Sequence, residues 1–392
     1  MLSSSSRYLL HIPRRLHAHT QYIRRFSAKS SPVPPPPSPA RTRAQIGIVC
    51  LSLFGVGALA YGGWDAYTTW RDLYPPAVRV DLKLGISAKN KGDRETSLFY
   101  KRKAWDTAVT LPTELFKSEP FLKVTGIAVD LAGELEEDGK SQEAFALYSE
   151  ALDYIKRADK PLSERERFRA VSLAVKLGQL AESCPNPISA QEEETILVFA
   201  VEETLKLLMG TRRQEPLDMS TLKLPRGLTK TDVGVPLQLL GDFYGRVGKL
   251  EYAMPLYLQT ISLLVPENPN KAPPEDICQG AHLMSNIAEL LVARDTPSSE
   301  KRVEEAERWA HNALSLLQTT RKNTKEQIPT CELALCAALF NAGMLREMAG
   351  DDARARSFFK AAFQQSQSFG AEDGVDAAKI AMDRLNAKQN SP

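Results

Sequence analysis

Between residue 78 and residue 369 the apolar positions recur every three to four residues, in paired segments broken by the same punctuation. No stretch shows the alternation that a half-buried strand requires. Four of the pairs align on a small residue: Gly85, Ala132, Gly241 and Gly343. Seven residues on, all four carry glycine, at Gly92, Gly139, Gly248 and Gly350. Twelve on come Ser97, Ala144, Ala253 and Ala355; sixteen on come Lys101, Tyr148, Tyr257 and Phe359; nineteen on come Ala104, Ala151, Thr260 and Ala362. The spacing describes a helical hairpin. A small residue lets the first helix approach the second, glycine ends the first helix in the left-handed region, and a bulky side chain fills the gap between neighbouring pairs.

The segment "LLGDFYGRVGKLEYAMPLY", with Leu240-Gly241, Tyr244, Ala253, Tyr257 and the closing Pro266, is similar to the tetratricopeptide (TPR) pattern. The first segment departs from it, since Lys101 replaces the aromatic. Two degenerate pairs, "ERFRAVSLAVKLGQLAES" with "EEETILVFAVEETLKLL" and "HLMSNIAELLVARD" with "VEEAERWAHNALSLL", complete six hairpins. A last helix near 371–388 caps the array, and residues 211–234 read as a surface loop. The expected fold is all-α, a TPR-like α-solenoid over 78–392 behind a single transmembrane helix.

That helix comes from a second apolar pattern. Residues 44–64 contain no charged side chain and are long enough to cross a hydrocarbon core. Gly55, Ala58 and Gly62 fall on one face there, a small-residue stripe against which another membrane helix can pack. Residues 1–26 carry arginines without acids, among Ser, Leu, Ile, Tyr and His, as a mitochondrial presequence does, with cleavage expected after Phe26. Residues 27–43 form a proline-rich basic linker, and 65–77 a juxtamembrane linker. Arg41 and Arg43 before the span, against Asp65 and Asp72 after it, keep the amino terminus in the matrix and place the solenoid in the intermembrane space.

Charge narrows the partners. The eight basic residues of the leader leave 42 in the rest of the chain against 48 acidic ones, so the formal total of +2 conceals a body of −6. That sign gives no support to nucleic-acid binding. The runs "ELEED" and "QEEET" read as solvated helix faces. Cys50, Cys184, Cys278, Cys331 and Cys336 read as buried free thiols rather than disulfides or metal ligands; Cys278 and His282 share a helical face, but two ligands make no zinc site. No nucleophile elbow, metalloprotease motif or phosphate loop is present, so no enzymatic activity, cofactor or metal is expected.

The first helices of such hairpins line an inner surface. Mapped by repeat position, it includes Arg79, Lys89 and Asn90, then Gln238, Asp242 and Arg246, then His282, Ser285 and Glu289, and finally Phe340, Met344, Glu347 and Met348. The asparagines and lysines that clamp a carboxylate in chaperone-binding TPR domains are not at the matching positions. Phe340, Met344 and Met348 are read as an adaptable apolar patch, with packing beneath the capping helix as the alternative.

The presequence, single span and carboxyl-terminal TPR array together resemble the fungal TPR-containing adaptor subunits of the mitochondrial inner-membrane i-AAA protease complex. The resemblance is one of architecture and carries no signature residue. It implies a non-enzymatic adaptor in contact with inner-membrane lipid and protease-complex subunits, binding unfolded or misassembled proteins. A respiratory-complex assembly factor is the alternative, and an outer-membrane import receptor is disfavoured by the leader.

Overall fold

The computed structural model describes residues 73–389, apart from 182–183, 185–187, 210–218, 220–221, 223, 225–227 and 293–299. The expected presequence, linker and span (1–26, 27–43, 44–64), with Gly55, Ala58 and Gly62, lie outside the described residues. Among the described residues no helix is long and apolar enough to cross a membrane.

The described residues form thirteen α-helices and no strand. They are α1 (Pro76–Asn90), α2 (Arg94–Thr110), α3 (Pro120–Glu137), α4 (Ser141–Lys156), α5 (Glu164–Ala181), α6 (Ala190–Met209) and α7 (Lys230–Arg246). Then follow α8 (Leu250–Leu264), α9 (Pro274–Val292), α10 (Glu300–Asn323), α11 (Pro329–Met348), α12 (Asp352–Phe369) and α13 (Glu372–Gln389). This is an all-α, TPR-like array of helical hairpins closed by a single helix. Two compact units divide it within α5: an amino-terminal unit through Leu173 that also takes in Cys184, and a carboxyl-terminal unit from Ala174 onward.

Local signals account for the helix ends. Asp93 and Asp351 accept hydrogen bonds from the amides of Thr96 and Arg354, capping α2 and α12. Thr229 and Asp232 form a reciprocal capping box at α7. Proline opens α1, α3 and α11, where its missing N–H goes unused. The first helix of four hairpins ends at a glycine with φ between 73° and 80°: Gly92, Gly139, Gly248 and Gly350.

The repeat register is carried by close contact. A Cβ at Gly85 would stand 2.8 Å from Lys101 Cγ, one at Gly241 2.8 Å from Tyr257 Cε1, and one at Gly343 2.6 Å from Phe359 Cε1. Ser97, Ala144, Ala253 and Ala355 are all fully buried, as are the four bulky residues four positions later. Tyr148 and Tyr257 add a hydrogen bond each, donating at 2.6 Å to Glu136 and Asp242 on the first helix of their own hairpins.

Three expectations need correction. The first concerns "ELEED", read as a solvated helix face, and begins at Lys101, which replaces the aromatic of the pattern. Its stem lies over Gly85 and its ammonium, wholly buried, reaches Asp130 and, at 2.6 Å, Glu134 on α3. Lys89 Nζ and Ser97 Oγ also meet the Glu134 carboxylate, at 2.9 Å each. Burial pushes that carboxyl up, and the hydrogen bonds from Lys101, Lys89 and Ser97 outweigh it, leaving it below its ordinary value. "ELEED" is therefore no solvated face: Glu134 is buried, Glu136 receives Tyr148, and Asp138 pairs with Arg94.

Secondly, Cys278 and Cys331 are joined by a disulfide, while Cys184 and Cys336 are buried thiols and Cys50 is outside the described residues. The two cysteines sit 53 residues apart on the first helices of consecutive hairpins, with Cα atoms 4.9 Å apart. Stacking of α9 against α11 brings them together, which no spacing within one helix reveals. Thirdly, the segment read as a surface loop through residue 234 ends earlier, because α7 begins at Lys230. Met219, within that segment, is buried in a cluster with Leu197, Val233, Leu237 and Leu240.

Two measurements probe this framework. Lys101→Met should lower the unfolding free energy by about 3 kcal/mol, because a buried carboxylate loses its closest cation, and Lys101→Met with Glu134→Leu should recover most of the loss. A single variant as stable as the parent in urea would show that the lysine contributes only its stem. Opening Cys278–Cys331 with reductant should lower the melting temperature, since closing a loop of this length is worth about 4 kcal/mol on chain-entropy grounds. Alkylation of both cysteines under denaturing, non-reducing conditions would refute the bond.

Candidate functional site

In the carboxyl-terminal unit α9 packs between α7 and α11, so three first helices stand side by side. Their shared face gathers most of the inner-surface residues expected from the sequence. Gln238 on α7 accepts a hydrogen bond from Gln279 on α9. Asp242, one turn on, receives the Tyr257 hydroxyl. Arg246 pairs with Glu193 of α6 at 2.5 Å and lies over the Phe243 ring. "QEEET" thus supplies ion-pair and hydrogen-bond partners, Glu193 to Arg246 and Glu194 to the Tyr244 hydroxyl.

Further along α9, His282 and Glu289 are both half-buried. Asn341 on α11 donates to Ser285 Oγ at 3.2 Å and to Glu289 Oε2 at 3.3 Å, tying α9 to α11. Burial raises the Glu289 carboxyl to about 7; the Asn341 hydrogen bond opposes this and the negative charge of Asp242 adds to it. Two carboxylates therefore share one polar face, and one of them is held near its titration point at neutral pH.

The apolar patch differs from expectation. Phe340 and Met344 are 2% and 8% exposed, packed with Ala355, Phe359, Ala378, Ala381 and Leu385. Helix α13 covers them, so they are core and unavailable to a partner. Met348, one turn beyond Met344, remains 53% exposed. Glu347 beside it is bridged by Arg384 of α13 at 2.5 Å.

The remaining expected residues lie in the amino-terminal unit. Arg79 donates to the Tyr74 carbonyl at 2.9 Å, Asn90 is exposed at the end of α1, and Lys89 is engaged with Glu134. Lys89 thus serves the fold. Sequence reading missed Arg169, half-buried beside the hydroxyls of Tyr74 and Tyr148, where burial lowers its pKa. It also missed Asn341. The signal was present: an amide in the run "LCAALFNAGM" must find a partner if it is buried. Cys278, once paired with His282 as a possible ligand couple, is held by its disulfide.

The arrangement is one of donors and acceptors paired across helices.

No protein-family model matches the chain. No curated protein matches it either. Among solved structures it is similar to BtubC from P. vanneervenii, at 17% identity and a TM-score of 0.41 over 76% of this chain and 92% of that one. It is also similar to the S. pombe nuclear import adaptor Nro1, at 13% identity and a TM-score of 0.41 over 76% of this chain and 96% of that one. A tetratricopeptide repeat protein from Parabacteroides merdae matches at 12% identity and a TM-score of 0.32 over 78% of this chain and all of that one. Likeness at this level says nothing of function.

Glu289 offers a pH test. A carboxyl whose pKa rises on folding destabilises the fold once the unfolded chain ionises; the penalty starts in the ordinary carboxylate range and is complete above about pH 7. Glu289→Gln should therefore stabilise the protein by about 1–3 kcal/mol at roughly pH 8 and change little near pH 4. Equal effects at both values would place Glu289 in contact with water.

Proposed function

We propose that this chain is a non-enzymatic adaptor of the mitochondrial inner membrane. Its TPR-like domain lies in the intermembrane space, binds unfolded or misassembled proteins and delivers them to the i-AAA protease. The observation that supports binding rather than chemistry is the polar ridge of α7, α9 and α11. Its half-buried side chains Gln238, Asp242 and Glu289 are each held by a hydrogen bond from another helix, and so present fixed acceptors. The acid-free leader and the uncharged run at 44–64 support the address. The Cys278–Cys331 disulfide supports a domain exposed to an oxidising compartment, since cytosolic thiols are kept reduced. Asp242, Gln238 and Met348 are the contacts this reading favours on the ridge; Arg79 and Asn90 are those it favours in the amino-terminal unit.

Two experiments on mitochondria test the reading together. In intact organelles the domain should resist added protease and become sensitive once the outer membrane is ruptured. After mild detergent extraction, the tagged chain should recover i-AAA protease subunits, and Met348→Ser should reduce client recovery while leaving the melt unchanged. Digestion without rupture would sink the location. Recovery of a respiratory complex with no protease subunit would favour the assembly-factor alternative.

A further inference from the structure

The first hairpin carries an outward face that the array does not use. On α1, Ala77, Val80 and Leu84 follow one another at intervals of three and four and are exposed, while Val78, Leu82 and Gly85 are buried. Val80 is 62% exposed and Leu84 43%. On α2, Phe99 is 63% exposed, and Lys103 one turn away reaches Asp81 of α1 at 3.1 Å. Phe99 and the α1 stripe thus flank a single ion pair that joins the two helices.

The exposed charge along the α1 stripe is basic: Lys83 on the helix and Lys91 just past its end are exposed, whereas the one acid of α1, Asp81, is buried and turned to Lys103. On α2 the signs are mixed, since Glu95 and Asp106 are exposed and Arg102 pairs with Asp106 and Glu150. Lysine is depleted from the centres of protein interfaces. An apolar stripe rimmed by lysine instead fits the boundary of a bilayer, with side chains among the acyl chains and ammonium groups among anionic headgroups.

Position along the chain selects the same occupant. Eleven residues, 65–75, separate the uncharged run from the start of α1, a reach of at most about 40 Å even when extended. Those residues and the end of the run place an aromatic at Tyr61, Trp64, Tyr67 and Trp70. Aromatics of this kind concentrate at the membrane–water interface.

We propose that the outward face of α1, Val80 and Leu84 with Lys83 and Lys91, docks on the anionic bilayer from which the chain emerges. This rests on the membrane anchor proposed above. Docking fixes the amino-terminal unit at the membrane surface in place of a free tether.

The test uses the full chain with Cys50→Ser, reconstituted in phosphatidylcholine vesicles with or without cardiolipin. Nitroxide labels are placed through Val80→Cys or Leu84→Cys, with Gln142→Cys on α4 as the exposed control. In cardiolipin vesicles, labels at 80 and 84 should lose several-fold accessibility to a water-soluble nickel chelate and gain accessibility to oxygen. The control should not change, and high salt or neutral lipid should weaken the shielding. Labels at both positions as accessible as the control, on a chain that floats with the vesicles, would overturn docking and leave the anchor standing. Shielding found in mitochondrial membranes but absent from protein-free vesicles would assign the face to a protein partner and likewise overturn it. A chain that fails to float would remove the anchor and the docking together.

Discussion

The aligned hairpins depend on one contact: a small residue on the first helix, facing a bulky side chain on the second. There is no room for a Cβ at Gly85, Gly241 and Gly343, and room for no more than one at the buried Ala132. At Gly241 and Gly343 the aromatic ring of Tyr257 or Phe359 fills the space that a side chain would take. Close approach at that point sets the spacing of the two helices, and the left-handed glycine seven residues later sets where the chain turns. Everything outward of this contact follows from it, including which residues of the first helix face the next hairpin. The contact constrains volume more than chemistry. Lys101 shows as much, because its methylene stem fills the same space over Gly85. Its charge then has to be met, and α3 meets it with Glu134 and Asp130. The departure from the aromatic pattern is therefore half of a pair whose other half lies in the following hairpin.

That distinction explains what the sequence reveals. Contacts within a hairpin join residues about sixteen apart, as in Gly85 with Lys101, Gly241 with Tyr257 and Gly343 with Phe359. A fixed short separation recurs visibly, so hairpin number, turn positions and buried register are legible. Contacts between hairpins join residues of different helices whose facing sides depend on the stacking angle. Cys278 with Cys331, Arg246 with Glu193, and Asn341 with Ser285 are separated by some fifty residues, and no repeat marks them. Acidic runs looked solvated for the same reason: the cations that face them are on other helices.

Where Gln279 donates to Gln238, and Asn341 to Ser285 and Glu289, helical position assigns Gln238, Asp242, His282, Ser285 and Glu289 to one inner face. It also puts Phe340 and Met344 there, and those the capping helix takes. A final hairpin leaves a face with no successor, and α13 closes it with Ala378, Ala381 and Leu385 against the nearest large apolar side chains. The need to cap the end of the array decides the fate of these two residues, and repeat position alone does not contain that need.

The surface left to a partner is consequently polar, with Met348 as its apolar margin. Apolar grooves accept almost any exposed hydrophobic segment, whereas fixed donors and acceptors reject a chain that leaves them unpaired. In the proposed adaptor role, recognition along this ridge turns on hydrogen bonding and charge. Asp242 and Glu289 give the ridge an acidic centre that favours segments bearing amide or basic side chains. Because burial holds the Glu289 carboxyl at about 7, the charge of that centre changes across neutral pH. A ligand that supplies a positive charge there favours the ionised form that the fold itself disfavours, so binding and proton release at Glu289 are linked.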